Sequence, residues 1–319
     1  MGSRARVTVI GSYNVGLVVN AERLPAWGET LFGNGFCESP GGKGSNQAVA
    51  ASRLGGEVRF IGSVGTDRYG DDAISMLKKE QIDLTYLKRT GASMTGVGFV
   101  FLNKEGDNCI VVDPGANLEL MPEDIDNAAE AIEQSDVILF QLESSLDTVR
   151  YGLKTAREKG KVTILNPAPA QKRLDDLLPY ATYVTPNETE LKIMSGLPPE
   201  QRLTDDDCIQ LGRSIISKGP EAVIVTMGER GALVILEETS YLLPSVPVAA
   251  VDTTGAGDSF NAALAVSLAE GKPLQEAAAY ACAVGAYTVT GKEVIPALPT
   301  REQVELFLAE RKEMSHERS

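Results

Sequence analysis

Short runs of β-branched and apolar residues recur along this chain, and stretches with the three-to-four-residue periodicity of amphipathic helices lie between them. The runs fall at 7–11, 58–64, 136–141, 162–166, 183–186 and 222–227; the helical stretches fall at 44–54, 69–80, 122–133, 145–159, 187–195 and 204–218. Several runs are almost continuously apolar, as a strand must be when both faces of its sheet are covered. Strand and helix in alternation predict an α/β fold, a doubly wound, mostly parallel sheet flanked by helices. Further helices are expected at 256–270, at 273–290, where small side chains permit close packing, and at 300–312, capped by Thr300 after Pro299.

Two segments, 17–37 and 95–112, break this rhythm with period-two patches and turn glycines but no helical pattern. In the first, Leu17-Val-Val-Asn20 and Thr30-Leu-Phe-Gly33 flank Pro25-Ala-Trp-Gly28. In the second, Gly96-Val-Gly-Phe-Val-Phe-Leu102 reaches Cys109-Ile-Val-Val112 through Asn103-Lys-Glu-Gly-Asp-Asn108, a hairpin signal. Four strands without covering helices predict a small separate β-sheet, a subdomain of one domain spanning 1–319. Such a sheet would bury its apolar face by covering a site or by pairing with a second copy. Antiparallel edge strands on the main sheet are the plainer alternative.

Composition excludes several kinds of function. Thirty Lys and Arg against 44 Asp and Glu leave a net charge of −14. With no surplus of cations, neither nucleic acid nor a membrane surface is an expected partner, although a local basic pocket for a small phosphate remains open. The single histidine, His316, stands in a polar tail, so Ser-His-Asp and Cys-His nucleophile systems and histidine-ligated metals are excluded. Acid–base work must fall to carboxylates, lysine or tyrosine. Cys37, Cys109, Cys208 and Cys282 lie far apart with no C-x-x-C and read as buried small hydrophobes in a reducing compartment. With no signal-peptide pattern and no apolar stretch of about 18 residues, a cytoplasmic location is expected.

Three strings could carry chemistry. Asp252-Thr-Thr-Gly-Ala-Gly-Asp258 runs into the helical Ser259-Phe-Asn-Ala-Ala-Leu264. Glycines just before a helix leave backbone N–H groups free for an anion, and a carboxylate in the first turn would stand beside it, able to take a proton from an attacking hydroxyl. A plain glycine turn with an aspartate cap has the same spelling. Pro40-Gly-Gly-Lys-Gly-Ser-Asn-Gln47 opens a second helix, but neither the G-x-x-x-x-G-K-[ST] cradle nor a G-x-G-x-x-G fingerprint is present. What remains is a glycine backbone a ligand can approach closely, with Lys43 and Asn46 as donors, or else only a tight turn. Asn187-Glu-Thr-Glu190 follows a strand; it is either a helix cap or a pair able to orient magnesium-bound water.

Seven strings together resemble the ribokinase-like (PfkB) carbohydrate kinase family, closest to its ribokinase branch, from Val7 to about Leu308. They are Gly11-Ser-Tyr-Asn14, Gly41-Gly-Lys-Gly-Ser-Asn-Gln-Ala48, Gln141-Leu-Glu143, Asn166-Pro-Ala-Pro169, Thr185-Pro-Asn-Glu-Thr-Glu190, Thr226-Met-Gly-Glu-Arg-Gly231 and the Asp252–Asp258 string. The resemblance implies an enzyme that transfers the γ-phosphoryl group of ATP, with Mg2+, to a sugar hydroxyl, most simply D-ribose to D-ribose 5-phosphate. By position it makes Asp258 the general base and the amides of Gly255, Ala256 and Gly257 the anion hole. Asn14, Gly16, Gly42, Lys43, Asn46, Glu143 and Asp258 match sugar-contacting positions. Thr226, Gly228, Gly231, Gly257 and Cys282 match nucleotide-contacting ones, and Asn187 with Glu190 the magnesium–phosphate motif. Segments 17–37 and 95–112 match a lid whose sheet also joins two copies as a homodimer.

Two departures from the family pattern stand out. Ribokinases read Asn-x-Asp at the sugar-binding strand end, and here the string is Asn14-Val15-Gly16, without the carboxylate. That opens the alternative of another acceptor: a deoxypentose, a ketohexose, inositol or a nucleoside. K+ as activator would use Asp252, Thr254, Thr288, Gly291 and Glu293, but Glu293 follows Lys292 where the family has glycine, and Ala297 replaces a serine. Glutamate does not take glycine-only dihedrals cheaply. A non-catalytic sensor of sugar or nucleotide is the alternative from outside enzymology.

Overall fold

The computed structural model describes residues 4–104, 108–172 and 174–316. The first half of the chain gives β1 (Arg6–Ile10), β2 (Asn14–Asn20), β3 (Asn34–Gly41), α1 (Lys43–Arg53), β4 (Glu57–Gly65), α2 (Arg68–Lys79), β5 (Leu87–Thr90), β6 (Gly96–Leu102), β7 (Asn108–Asp113), α3 (Pro122–Asn127), α4 (Ala129–Gln134) and β8 (Val137–Phe140). The second half gives α5 (Leu146–Glu158), β9 (Val162–Leu165), β10 (Tyr183–Val184), α6 (Glu188–Met194), α7 (Asp205–Ile216), β11 (Ala222–Thr226), β12 (Ala232–Ile235), β13 (Ser240–Leu243), α8 (Ala256–Ala269), α9 (Leu274–Thr288), α10 (Val294–Ala297) and α11 (Arg301–His316).

The main sheet has nine strands in the order β13-β12-β11-β10-β9-β8-β1-β4-β5. From β11 to β5 every neighbouring pair is parallel, and only β12 and β13 add antiparallel pairs at the far edge. Alternate residues of one strand enter opposite cores. Val137 and Leu139 pack with α1, α8 and α9, whereas Ile138 and Phe140 pack on the side of α5 and α7. Both faces are covered, which is why these runs are continuously apolar. Ala262, Ala263, Ala265, Ala277, Ala278 and Ala281 are fully buried, so α8 and α9 pack through small side chains. Among the described residues no helix is long and apolar enough to cross a membrane.

The two irregular segments form their own sheet, ordered β3-β2-β6-β7. β2 and β6 run parallel, with Asn14 opposite Gly96 and Gly16 opposite Gly98, and antiparallel hairpins flank them. The expected patch at 30–33 is not a strand: β3 begins at Asn34 and runs on into the glycine cluster at Gly41. The hairpin of β6 and β7 is present, while residues 105–107 of its turn lie outside the described residues.

Other expectations need correction. The helix at 122–133 breaks at Ala128 into α3 and α4, after Asp126 and Asn127, both weak helix residues. α11 continues to His316, whose side chain lies outside the described residues, and Thr300 caps it by accepting from the N–H of Gln303. Cys208 and Cys282 are buried, but Cys37 and Cys109 are exposed, because they stand on the small sheet that no helix covers. All four are free thiols.

Candidate active site

Eight of the sequence-derived site residues, Lys43, Asn187, Glu190, Thr226, Thr254, Gly255, Gly257 and Asp258, meet outside the carboxyl ends of the parallel strands, close to where the order reverses between β1 and β8. Open α/β sheets bind ligands there, because the strands' connections diverge and leave a crevice. Lys43, Asn166, Ala168, Thr185, Asn187, Glu190, Thr226, Thr253, Thr254, Gly255, Gly257, Asp258 and Asn261 line a cavity of about 260 Å³.

Asp258 sits in the first turn of α8 and is 7 % exposed. Gly255 precedes the helix at φ 82, and a Cβ there would come within 2.6 Å of Val294, so conformation and packing both require glycine. No side chain caps this helix end. Its first amides have no partner within the helix and face the cavity with the positive end of the dipole. The Ala256 amide makes only a long bond, 3.4 Å, to the carbonyl of Thr253. A Cβ on Gly257 would meet nothing within 4 Å, so the cavity side of this turn is open.

α1 supplies the opposite wall. Gly42 takes φ 92, and a Cβ would lie 2.6 Å from the amide nitrogen of Asn14, so the glycine cluster packs directly against the Tyr13–Asn14 backbone. Asn46 Nδ2 donates to Asp258 Oδ2 at 2.9 Å, and Gln47 Nε2 donates to Asp258 Oδ1 at 3.1 Å. The remaining Asn46 oxygen, Oδ1, is buried without a partner, an acceptor of the kind a ligand hydroxyl satisfies. Glu143 Oε2 accepts from the Lys43 N–H (2.9 Å), Asn14 Nδ2 (3.3 Å) and the Ser12 hydroxyl, tying the ends of β1 and β8 to the start of α1. Gly16 lies one pleat beyond Asn14 on the same face of β2.

The charges are coupled. Burial is the largest influence on Asp258 and pushes its carboxyl above the ordinary range, against the pull of Lys43 and of the Asn46 and Gln47 amides. At Lys43 burial works against the ammonium, but the carboxylates of Asp258, Glu143 and Glu190 outweigh it and raise its pKa. Glu190 is pushed up by burial, with the Asn187 N–H and Lys43 opposing.

Asn187 and Glu190 form a reciprocal cap on α6: Asn187 Oδ1 accepts from the Glu190 N–H at 2.8 Å, and Glu190 Oε2 accepts from the Asn187 N–H at 2.9 Å. Both also line the cavity, so cap and cavity wall are one structure. Beyond it, Asp252 joins Thr254 to Glu293, and the Thr288 hydroxyl donates to Ser259 Oγ at 2.9 Å. A Cβ on Gly291 would lie 2.6 Å from the Ala297 methyl. Glu293 does adopt the glycine-favoured region, at φ 61. Gly228, Gly231 and Cys282 are not among the cavity-lining residues, nor are Asn14, Gly16, Gly42, Asn46 and Glu143; Gly231 is packed against the backbone of Leu243, and Cys282 is a buried residue of α9 itself.

Asn166, Thr185, Asn261 and Gln47 were given no role from sequence. The signal for the first two was available: each follows the carboxyl end of a parallel strand, β9 and β10. Thr185 Oγ1 donates to Asn261 Oδ1 at 2.6 Å, and Asn261 Nδ2 to the Gly257 carbonyl at 2.8 Å, bracing the glycine turn from below.

This fold and site define a carbohydrate kinase. The sequence matches the pfkB family of carbohydrate kinases over residues 4–301, and the chain belongs to that family. It is a ribokinase-type sugar kinase. It is 38% identical over 306 residues to a deoxyribokinase of Salmonella typhi, covering 95% of this chain and 98% of that one. It is 40% identical over 303 residues to a ribokinase of Bacillus subtilis, covering 95% and 99%. Among solved structures, ribokinase from Thermotoga maritima superposes with a TM-score of 0.87 at 35% identity, covering 96% and 99% of the two chains. Arabidopsis thaliana ribokinase complexed with ribose and ATP gives 0.89 at 31% identity, covering 96% and 99%.

Proposed function

We propose that this protein transfers the γ-phosphoryl group of ATP to the primary hydroxyl of a pentose, converting D-ribose to D-ribose 5-phosphate. One observation carries the reading: a buried carboxylate, Asp258, stands in the first turn of an uncapped helix end, facing Lys43 across the cavity. Asp258 accepts the proton of the attacking hydroxyl. The hydroxyl oxygen bonds to the γ-phosphorus as the bridging bond to the β-phosphate breaks, and ADP leaves. The amides of Gly255, Ala256 and Gly257 take up the charge on the transferred group, the Ala256 amide least because Thr253 shares it.

Asn14, Gly42, Lys43, Asn46 and Glu143 hold the sugar, and the unpartnered Asn46 oxygen supports this. Thr226, Gly228, Gly231, Gly257 and Cys282 hold the nucleotide. Mg2+, when bound, neutralises phosphate charge; Asn187 and Glu190 would hold it through water. Among the described residues no group of three acidic, Cys or His side chains forms a metal cage, which fits an ion held mainly by phosphates. K+ would lie in the loop of Asp252, Thr254, Thr288, Gly291 and Glu293; equal rates in potassium and tetramethylammonium would dismiss it. The small sheet, built from segments 17–37 and 95–112 and their flanks, is the lid of this single domain. Its uncovered apolar side chains, Ile110 and Val112 among them, support a homodimer formed there. The free thiols suit the cytoplasm.

A second reading has its own observation. Gly16 and Gly98 are adjacent in register, neither has positive φ, and a Cβ on either would meet nothing closer than 3.5 Å. A strand glycine needed neither by dihedral nor by packing is one of the marks of a ligand that comes close, beside bulges and bends. A bulkier or less hydroxylated acceptor, such as a deoxypentose, ketohexose, inositol or nucleoside, would fit there.

An ADP-release assay with MgATP and ribose, 2-deoxyribose, fructose, myo-inositol and nucleosides tests both. Ribose leading supports the first reading; another acceptor leading replaces it with the second. No turnover, with sugar and ATP both binding, would make the protein a sensor. Asp258→Asn should bind both ligands and lose turnover; retention of the rate removes Asp258 as the base.

A further inference from the structure

We infer that Gln47 is a positioning residue that holds the Asp258 carboxylate in one orientation, and that Gln141 fixes which way round the Gln47 amide lies. The inference rests on Asp258 acting as the general base.

Gln47 is fully buried on α1 and does not line the cavity. Its Nε2 donates to Asp258 Oδ1 at 3.1 Å and to Asn166 Oδ1 at 3.2 Å, so both its N–H bonds end on acceptors. Its Oε1 accepts from Gln141 Nε2 at 2.6 Å. Asn166 is held in turn by its Nδ2 bond to the Thr185 carbonyl, 3.2 Å. Ionised Asp258 can only accept, so the polarity of the chain is set from that end. Turning the Gln47 amide over would set oxygen against the oxygens of Asp258 and Asn166, and nitrogen against the nitrogen of Gln141.

The far end of the chain is unusual. Gln141 Oε1 is buried with no partner and lies against Gly11, where a Cβ would be 2.0 Å from it. An unpaired buried acceptor is a standing cost, and Gln141 carries it while donating to Gln47. Asn46 and Gln47, consecutive on α1, thus take one lone pair from each Asp258 oxygen and leave the others for the hydroxyl. The charged groups facing Asp258 are Lys43 from α1, Glu143 from the β8–α5 connection and Glu190 from α6. Burial lifts the Asp258 carboxyl and the two amides pull it back, so loss of Gln47 moves it upward.

The test is the pH profile of kcat/KM for the best acceptor, from pH 5.5 to 9 at saturating MgATP, for Gln47→Met, Gln141→Met and the double variant, with Asp258→Asn alongside. Gln47→Met should move the acid limb up by about one pH unit, lowering the rate by up to about tenfold along that limb, so the deficit shrinks at high pH. Gln141→Met should do the same to a smaller degree, and the double variant should be no worse than Gln47→Met, because Gln141 acts only through Gln47. A Gln47→Met deficit that is equal at every pH overturns the proposal, as does a double variant in which both losses add. Should Gln47→Met not fold, an unmoved acid limb in Gln141→Met overturns it and a raised one supports it. If Asp258→Asn keeps turnover, the base reading itself is what fails; if it does not, an unmoved limb removes Gln47's role alone.

Discussion

The backbone N–H of Glu293 donates to Oδ2 of Asp252 at 3.2 Å, while Oδ1 of the same carboxylate takes the N–H (2.9 Å) and hydroxyl (2.6 Å) of Thr254. One side chain thus joins the approach to α8 to the loop before α10. Burial lifts the Asp252 carboxyl, and these bonds outweigh it and hold its pKa below the ordinary value.

That junction carries local strain. Glu293 is at φ 61 and ψ 165, where a residue with a side chain costs about 1–3 kcal/mol. Its side chain is exposed. Glu293→Gly should therefore stabilise the protein by about 1 kcal/mol after the greater chain entropy of glycine is subtracted, raising Tm by about 2 °C. A fall in Tm on thermal unfolding would show that the glutamate side chain contributes more than the strain removes.

Gly16 offers a gain-of-contact test. Gly16→Asp meets only ordinary contacts at Cβ, the nearest being the Ser39 carbonyl at 3.5 Å. One new charge-assisted bond to a ring hydroxyl, about 1.5–3 kcal/mol, should lower the ribose KM by about tenfold or more. Acceptors that need the open space should be lost in the same variant. An unchanged KM for every acceptor would place Gly16 outside the sugar site.

Asp67 pins α2 to the root of the small sheet. It caps α2 through the Gly70 N–H (3.0 Å) and takes the Thr95 N–H (2.7 Å) and hydroxyl (2.9 Å). Burial raises its carboxyl, but these donors prevail and depress its pKa. A depressed carboxylate adds stability above its unfolded pKa, about 3.9, and loses it as pH falls through the lower folded value. Asp67→Ala should cost about 1–2 kcal/mol at pH 7, with the deficit narrowing below about pH 4. Denaturant melts at the two pH values decide it; an equal deficit at both contradicts the charge argument.

The uncovered face of the small sheet gives the last prediction. Ile110 and Val112 share a face, 52% and 48% exposed. The wild type should run as a dimer, and Ile110→Lys with Val112→Lys should give a species of 34.0 kDa by light scattering. A wild type already at that mass removes the dimer.

The parallel strands and the α8 turn were legible because each is local: apolar run, glycine, helix. β12, only Ala-Leu-Val-Ile, is too short for periodicity to distinguish, and β5 reads Leu-Lys-Arg-Thr, mixed enough to pass for a loop. Cys37 and Cys109 were misread as buried because cysteine usually is, and the absence of covering helices over their sheet outweighs residue preference. The Gln141–Gln47–Asp258 chain was illegible for another reason. Its members come from three separate places, just past the end of β8, on α1 and on α8, and nothing in their spacing says that they meet.

β2 starts at Asn14, β3 ends at Gly41 and β6 starts at Gly96 opposite Asn14. Asn14 bonds Glu143, and Gly41 runs straight into Gly42 and Lys43. On the reading that Asn14, Gly42 and Lys43 hold the sugar, the small sheet is rooted at the sugar site. At about 3.3 Å per residue, the far end of β2 lies roughly 20 Å from that root. On that reading, a partner that holds the far end of the sheet would also hold the strand ends that meet the sugar.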